Sequence, residues 1–305
     1  MNFSQKNIEP VLGKTSWRSF DGKEMPWLAR EVPRGESLRA VVITVHGLSG
    51  AASDFWPLGE AWPPHGIAVY GMELRGQGND PELKSRGDIV SAEQWQKDLL
   101  TFHQLVTQQH PGVPVFWYAE SLGALVALHA VEDLMGDRGI NRRPAGIVFS
   151  SPAAGLKMKP GFGKRFMIHA AMVLMPGKKV NLEKLAGVKD KDIRVTQGTT
   201  HEAQMAKTPH YVSEFTLRLL HEVQNMMDSS PQVLREMKVP ALVLASPNDV
   251  IASPAQIQRF YDDMASGDKT IIWYEQSYHL LLHDVQRGKV LHDATEWMMK
   301  RSAGH

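Results

Sequence analysis

An α/β fold is predicted: a mainly parallel sheet flanked by helices, with a helical cap inserted after the sixth strand. Three observations predict it. Short apolar, β-branched runs alternate with longer helical ones from about residue 38 to residue 150, the pattern of parallel βαβ units. The alternation stops between Gly155 and about Met237 and resumes at Pro240. Finally, the strand-like run Val113–Tyr118 passes through Ala119-Glu120-Ser121-Leu122-Gly123 directly into a helical pattern that reaches Leu134.

Taken in order, Arg18–Phe20 and Met25–Val32 flank Asp21-Gly22, a hairpin signal. Leu38–Val45 reads as a buried strand ending in His46-Gly47-Leu48-Ser49-Gly50, and Gly66–Leu74 as another ending in Arg75-Gly76-Gln77-Gly78. Ser91–His110 is expected to be an amphipathic helix with Ser91 as its N-cap. The strand–turn–helix around Ser121 follows, and then the sixth strand, Ala145–Ser150. No convincing strand is visible from Gly155 to Met237. Beyond it come a strand at Ala241–Ala245, a helix at Pro254–Met264, a strand at Thr270–Tyr274 and a helix at Lys289–Arg301. The expected division is a first core part at 1–154, a helical cap at 155–237 and a second core part at 238–305.

The 305 residues are 43% hydrophobic with a net charge of +1. That is ample for a sizeable core and lacks the basic field of a nucleic-acid binder. There is no Cys, which excludes disulfides, thiolate catalysis and Cys-based zinc sites. The first residues lack an apolar signal core, and no apolar run approaches the roughly 20 residues of a membrane span. A cytoplasmic protein is expected.

A Ser at the apex of a strand-to-helix turn presents its hydroxyl above the sheet, beside the free N–H groups of a helix start. Such a nucleophile needs a base, and the base an orienting acid. Asp249, in Ser246-Pro247-Asn248-Asp249, and His279, after Glu275-Gln276-Ser277-Tyr278, both fall just past strand ends, where ligands of open α/β sheets bind. The chain order Ser121, Asp249, His279 is that of α/β-hydrolases. The oxyanion donors are assigned to the backbone N–H groups of Leu48 and Leu122. Asp263 and Asp268 are rival acids on the wrong side of the sheet. A metal pair at His279 and His283 is discounted, since no third ligand appears at a zinc-site spacing; no metal is assigned. His46 is read as a loop-orienting residue.

These motifs, together with Tyr278-His279, resemble the monoacylglycerol lipase and lysophospholipase group of α/β-hydrolases, from roughly Glu24 to the C-terminus. Ala119 stands where the usual turn has Gly. The resemblance implies a Ser-Asp-His triad, no cofactor, and a monoacylglycerol-like or lysophospholipid-like acyl ester as substrate. A short-chain carboxylesterase, a thioesterase, an amide hydrolase or a catalytically weak ligand-binding member of the same fold are the alternatives.

In the expected cap, Phe166, Met172 and Met175 belong to one apolar run, and Leu219 and Val223 to a stripe at helical spacing. All five are candidate substrate contacts, although the second stripe suits packing on the core better. Six basic residues and no acidic one lie between Gly155 and Val180, so peripheral contact of the cap with anionic lipid is a further expectation.

Overall fold

The computed structural model describes residues 16–134, 143–157, 171–172, 174–181, 193–205 and 207–302. Eight strands form one sheet: β1 (Ser16–Arg18), β2 (Glu24–Arg30), β3 (Ala40–Val45), β4 (Ile67–Met72), β5 (Val115–Glu120), β6 (Gly146–Ser150), β9 (Ala241–Ala245) and β10 (Lys269–Trp273). Their order is β1-β2-β4-β3-β5-β6-β9-β10. Only β1–β2 and β2–β4 pair antiparallel. The expected fold class therefore holds, and the first hairpin forms with Trp17 opposite Met25.

The central strands β3, β4, β5, β6 and β9 are buried along their whole lengths. A strand covered on both faces needs no polar alternation, which is why these runs read as continuous apolar segments. Helices cover the two faces: α1 (Trp56–Ala61), α2 (Ala92–Gln109), α3 (Leu122–Glu132), α5 (Leu217–Leu234), α6 (Pro254–Asp262) and α7 (Arg287–Ser302). One core cluster joins Trp95, Phe102, Leu125 and Phe260 to one face of the sheet. The other joins Phe55, Trp62, Trp297 and Met298 to the opposite face. Helix α3 is buried on every side from Leu122 to Val131, because it lies between the sheet and the helices α2 and α5.

One expectation is corrected. The segment between β6 and β9 contains, besides α4 (His201–Met205) and α5, a short antiparallel sheet of β7 (Lys179–Asn181) and β8 (Glu214–Thr216). Three-residue strands are too short to show an alternation. Ser91 is the N-cap of α2, as expected, with an extended backbone but no side-chain hydrogen bond to the helix; the Glu222 carboxylate of α5 accepts the Ala92 N–H of the same turn at 2.7 Å. Among the described residues no helix is long and apolar enough to cross a membrane.

The carboxyl ends of β3, β5, β6, β9 and β10 share one edge of the sheet. The loops leaving that edge carry Leu48, Ser121, Ser151, Asp249 and His279.

Candidate active site

Ser121 sits between β5 and α3 with φ 54° and ψ −113°, a left-handed conformation that costs a non-glycine residue free energy. Its surroundings hold it there. The Ser121 N–H donates to Ser150 O at 3.0 Å, and its carbonyl accepts from Ala124 and Ala153. Two glycines permit the close approach. A Cβ on Gly123 would lie 2.2 Å from Val45 O, and one on Gly47 would lie 3.1 Å from the Ser121 Cβ. Ala119 is fully buried in β5, so the extra methyl group is accommodated within the sheet. Ser49 (φ 61°) and Ser151 (φ 44°) are the other non-glycine residues with positive φ among those described, and both lie on loops at this same edge.

The loop after β3 is organised by buried polar side chains. His46 is 1% exposed. Its Nδ1 contacts Gly47 O at 2.9 Å, and its Nε2 contacts the Leu74 N–H at 3.0 Å; the neutral tautomer with the proton on Nδ1 satisfies both. His46 thus orients the loop, as its sequence position suggests. Gln77, from the Arg75-Gly76-Gln77-Gly78 turn, accepts the Ser49 N–H at 2.9 Å. Among the described residues the backbone N–H groups of Leu48 and Leu122 have no acceptor. Leu122 is the first residue of α3, where helix N–H groups are unpaired by construction.

Asp249 and His279 meet at 2.8 Å between Oδ2 and Nδ1, with Asp249 fully buried and His279 7% exposed. The other Asp249 oxygen accepts the Ile251 N–H at 2.7 Å and the Ala252 N–H at 3.3 Å. Burial opposes protonation of His279, but the neighbouring Asp249 carboxylate raises its pKa above the ordinary value. Its Nε2 has no partner among the described residues. Sequence reasoning missed the residues that hold this pair. Ser246 Oγ donates to Ser277 O, and Asn248 Nδ2 donates to Glu275 O at 2.8 Å, joining the Asp249 loop to the His279 loop. Ser151 Oγ donates to His279 O at 2.7 Å.

The family model Hydrolase_4, described as serine aminopeptidase, S33, matches residues 36–286. The chain belongs to this family of α/β-hydrolases. The hydrolase is 25% identical over 255 residues to the phospholipase YtpA of Bacillus subtilis, covering 82% of this chain and 92% of that one. In fold it resembles the monoacylglycerol lipase of Paleococcus ferrophilus, with a TM-score of 0.74 at 23% identity over 92% of this chain and 100% of the other. A soluble variant of the Saccharomyces cerevisiae monoglyceride lipase superposes with a TM-score of 0.80 at 18% identity over 98% of both chains.

Other residues of the hydrolase fall as follows. Asp268 pairs with Arg301 through Oδ2 and Nε at 2.8 Å, and Asp263 with Arg235 at 3.7 Å. The His283 ring packs by Trp56, and its charged form is disfavoured by burial. Among the substrate candidates, Leu219 is fully buried in the first core cluster and Val223 packs against it. Met172 is half-buried and Met175 is exposed. Phe166 lies outside the described residues.

Glu120 belongs to the recognised motif but carried no role in the sequence. It ends β5, is 7% exposed, and its carboxylate accepts no hydrogen bond among the described residues. Burial pushes its pKa from 4.5 up to about 7, with His279 opposing the rise and Asp54 and Asp249 adding to it. Between those two values the native protein keeps a proton that the unfolded chain has released. Its stability therefore falls as pH rises through that window, and the cost is complete above pH 7. Glu120→Gln removes the titration. The variant is expected to be more stable than wild type at pH 8 by about 1–3 kcal/mol, and to lose the advantage near pH 5. Urea melts at the two pH values measure this; an equal difference at both would mean that Glu120 titrates as an ordinary carboxyl.

Proposed function

We propose that this protein is a serine ester hydrolase acting on monoacylglycerol-like or lysophospholipid-like esters through an acyl-enzyme on Ser121. The observation that carries the reading is the buried Asp249–His279 hydrogen bond, at the same sheet edge as a strained Ser121 with unpaired amides nearby. In the proposed reaction the Ser121 hydroxyl attacks the acyl carbonyl while His279 Nε2 takes its proton. Asp249 holds the imidazole through Nδ1 and stabilises its charged form. The Leu48 and Leu122 N–H groups stabilise the oxyanion. His279 then protonates the leaving alcohol and activates the water that releases the acid. The residues present suffice for this chemistry, with no added cofactor.

The substrate class rests on the relatives, whose names include a phospholipase and monoacylglycerol lipases. We also propose that the segment following β6 covers the site as a cap. Within 155–237, α5 lies against α2 and α3 as a core helix does, so the described stretches assigned to the cover are 193–205 and 207–216. Leu174 and Met175 are exposed beside the exposed Lys178 and Lys179, which suits peripheral contact with anionic lipid.

A second reading, an amide hydrolase, is favoured by the description of the family model, which names an aminopeptidase. One assay separates the two. Purified protein is offered p-nitrophenyl esters of increasing chain length, a monoacylglycerol, a lysophospholipid and aminoacyl anilides. Preference for medium or long acyl esters over acetate is expected. An optimum at acetate, or cleavage confined to the anilides, overturns the substrate assignment. In the same preparations, salt-sensitive co-sedimentation with anionic vesicles is expected; no co-sedimentation at low salt removes the lipid contact.

A further inference from the structure

The stretches 193–205 and 207–212 touch both loops on which the proposed chemistry depends. On one side, Ser49 Oγ donates to Val212 O at 2.7 Å, and the His210 ring lies 3.3 Å from the Asp54 carboxylate. Ser49 follows Leu48 directly. Asp54 accepts the Ala51 N–H at 2.8 Å, so its carboxylate fixes the turn that leads away from the same loop. On the other side, the Leu280 N–H donates to Val195 O at 3.0 Å. The Gln197 N–H donates to Asp284 Oδ1 at 2.9 Å, while Asp284 Oδ2 accepts the Tyr278 N–H at 2.7 Å. These two bonds bracket His279.

We propose that residues 193–205 and 207–212 are a clasp that positions the Leu48 loop and the His279 loop relative to each other, with His210 as the positioning residue on the Leu48 side. The proposal rests on the triad and oxyanion reading above. Several features support it. His210 is 3% exposed and Val212 7%, so these contacts are shielded from water, where a charge-assisted hydrogen bond is worth most. Burial works against the Asp54 charge, yet the His210 hydrogen bond and nearby His283 hold its pKa below the ordinary value. The Ser49 backbone is in a left-handed conformation, which persists only where several contacts fix it; its N–H on Gln77 and its hydroxyl on Val212 do so. The strand-end loop, already braced by Gln77 and Glu73, is thereby fastened from outside the sheet as well. The covering segment then takes part in building the oxyanion site as well as enclosing the substrate.

The test compares His210→Ala, His210→Gln and Ser49→Ala with wild type on a soluble short-chain ester, with hydrogen exchange followed in parallel. A small displacement of a catalytic group costs up to about 10²-fold in rate. His210→Ala is therefore expected to lower kcat by about 10- to 100-fold with KM nearly unchanged. His210→Gln, which keeps a donor for Asp54, should recover most of that loss. Ser49→Ala should act in the same direction, and combining it with His210→Ala should cost less than the product of the two. Amides in 47–55 should exchange severalfold faster in His210→Ala. Wild-type kcat and unchanged exchange in that variant would overturn the proposal. So would a loss confined to KM for long-chain esters, since His210 would then only shape the acyl pocket. If wild type hydrolyses no ester, the functional reading fails, and the exchange measurement still decides whether the clasp exists.

Discussion

Ser121→Ala is expected to abolish covalent labelling by a fluorophosphonate and to lower ester hydrolysis by about 10³-fold or more. The size of the effect follows from what the proposed mechanism leaves behind. Without the hydroxyl, His279 has no nucleophile to deprotonate, and only the amides of Leu48 and Leu122 can still act on the carbonyl. Water could attack in place of Ser121, but it would lack the fixed position that the strained turn gives the hydroxyl. The substitution removes one oxygen from a partly exposed side chain whose backbone bonds to Ser150, Ala124 and Ala153 remain. Stability should therefore change little, and a thermal melt of the variant controls for unfolding. The labelling experiment reads the site directly: a label that survives in Ser121→Ala would place the reactive residue elsewhere.

Some of this site was legible in the sequence because its residues sit where a strand stops. Ala241–Ala245 is an apolar run buried on both faces, and the run ends abruptly in Ser246-Pro247-Asn248-Asp249. The same reasoning located His279 and Ser121. The supporting residues were not legible, because their partners are backbone atoms brought near only by folding. Gln77 reaches Ser49 N across 28 positions, and Ser151 reaches His279 O across 128. A single polar residue carries no mark of such a partner. Strands β7 and β8 were invisible for a different reason. They are three residues each and only partly buried, so neither length nor alternation betrays them. Ser91 was legible as the N-cap of α2, whereas the Glu222 carboxylate of α5 that accepts the Ala92 N–H was not, because folding alone brings it there.

Asp249→Asn and His279→Ala should each lower kcat strongly, Asp249→Asn by about 10⁴-fold, but together they should be little worse than His279→Ala alone. The reason is geometric. The Asp249 carboxylate has one oxygen on His279 Nδ1 and the other on the N–H groups of Ile251 and Ala252. In the proposed mechanism its influence on the reaction passes through the imidazole. Once His279 is gone, the carboxylate has no route to Ser121, and its loss adds almost nothing. Asp249→Asn alone presents an amide where the carboxylate accepted. If the amide nitrogen faces His279, the ring must place its proton on Nε2 and cannot act as a base toward Ser121. The acid limb of the kcat/KM profile should also move to lower pH in Asp249→Asn, because the carboxylate that raises the His279 pKa is absent. Asp268→Asn is the control. Asp268 is bound to Arg301, near the start of β10, and its replacement should leave kcat unchanged. Multiplicative losses in the Asp249 and His279 double variant, or a larger loss from Asp268→Asn than from Asp249→Asn, would show that Asp249 does not act through His279.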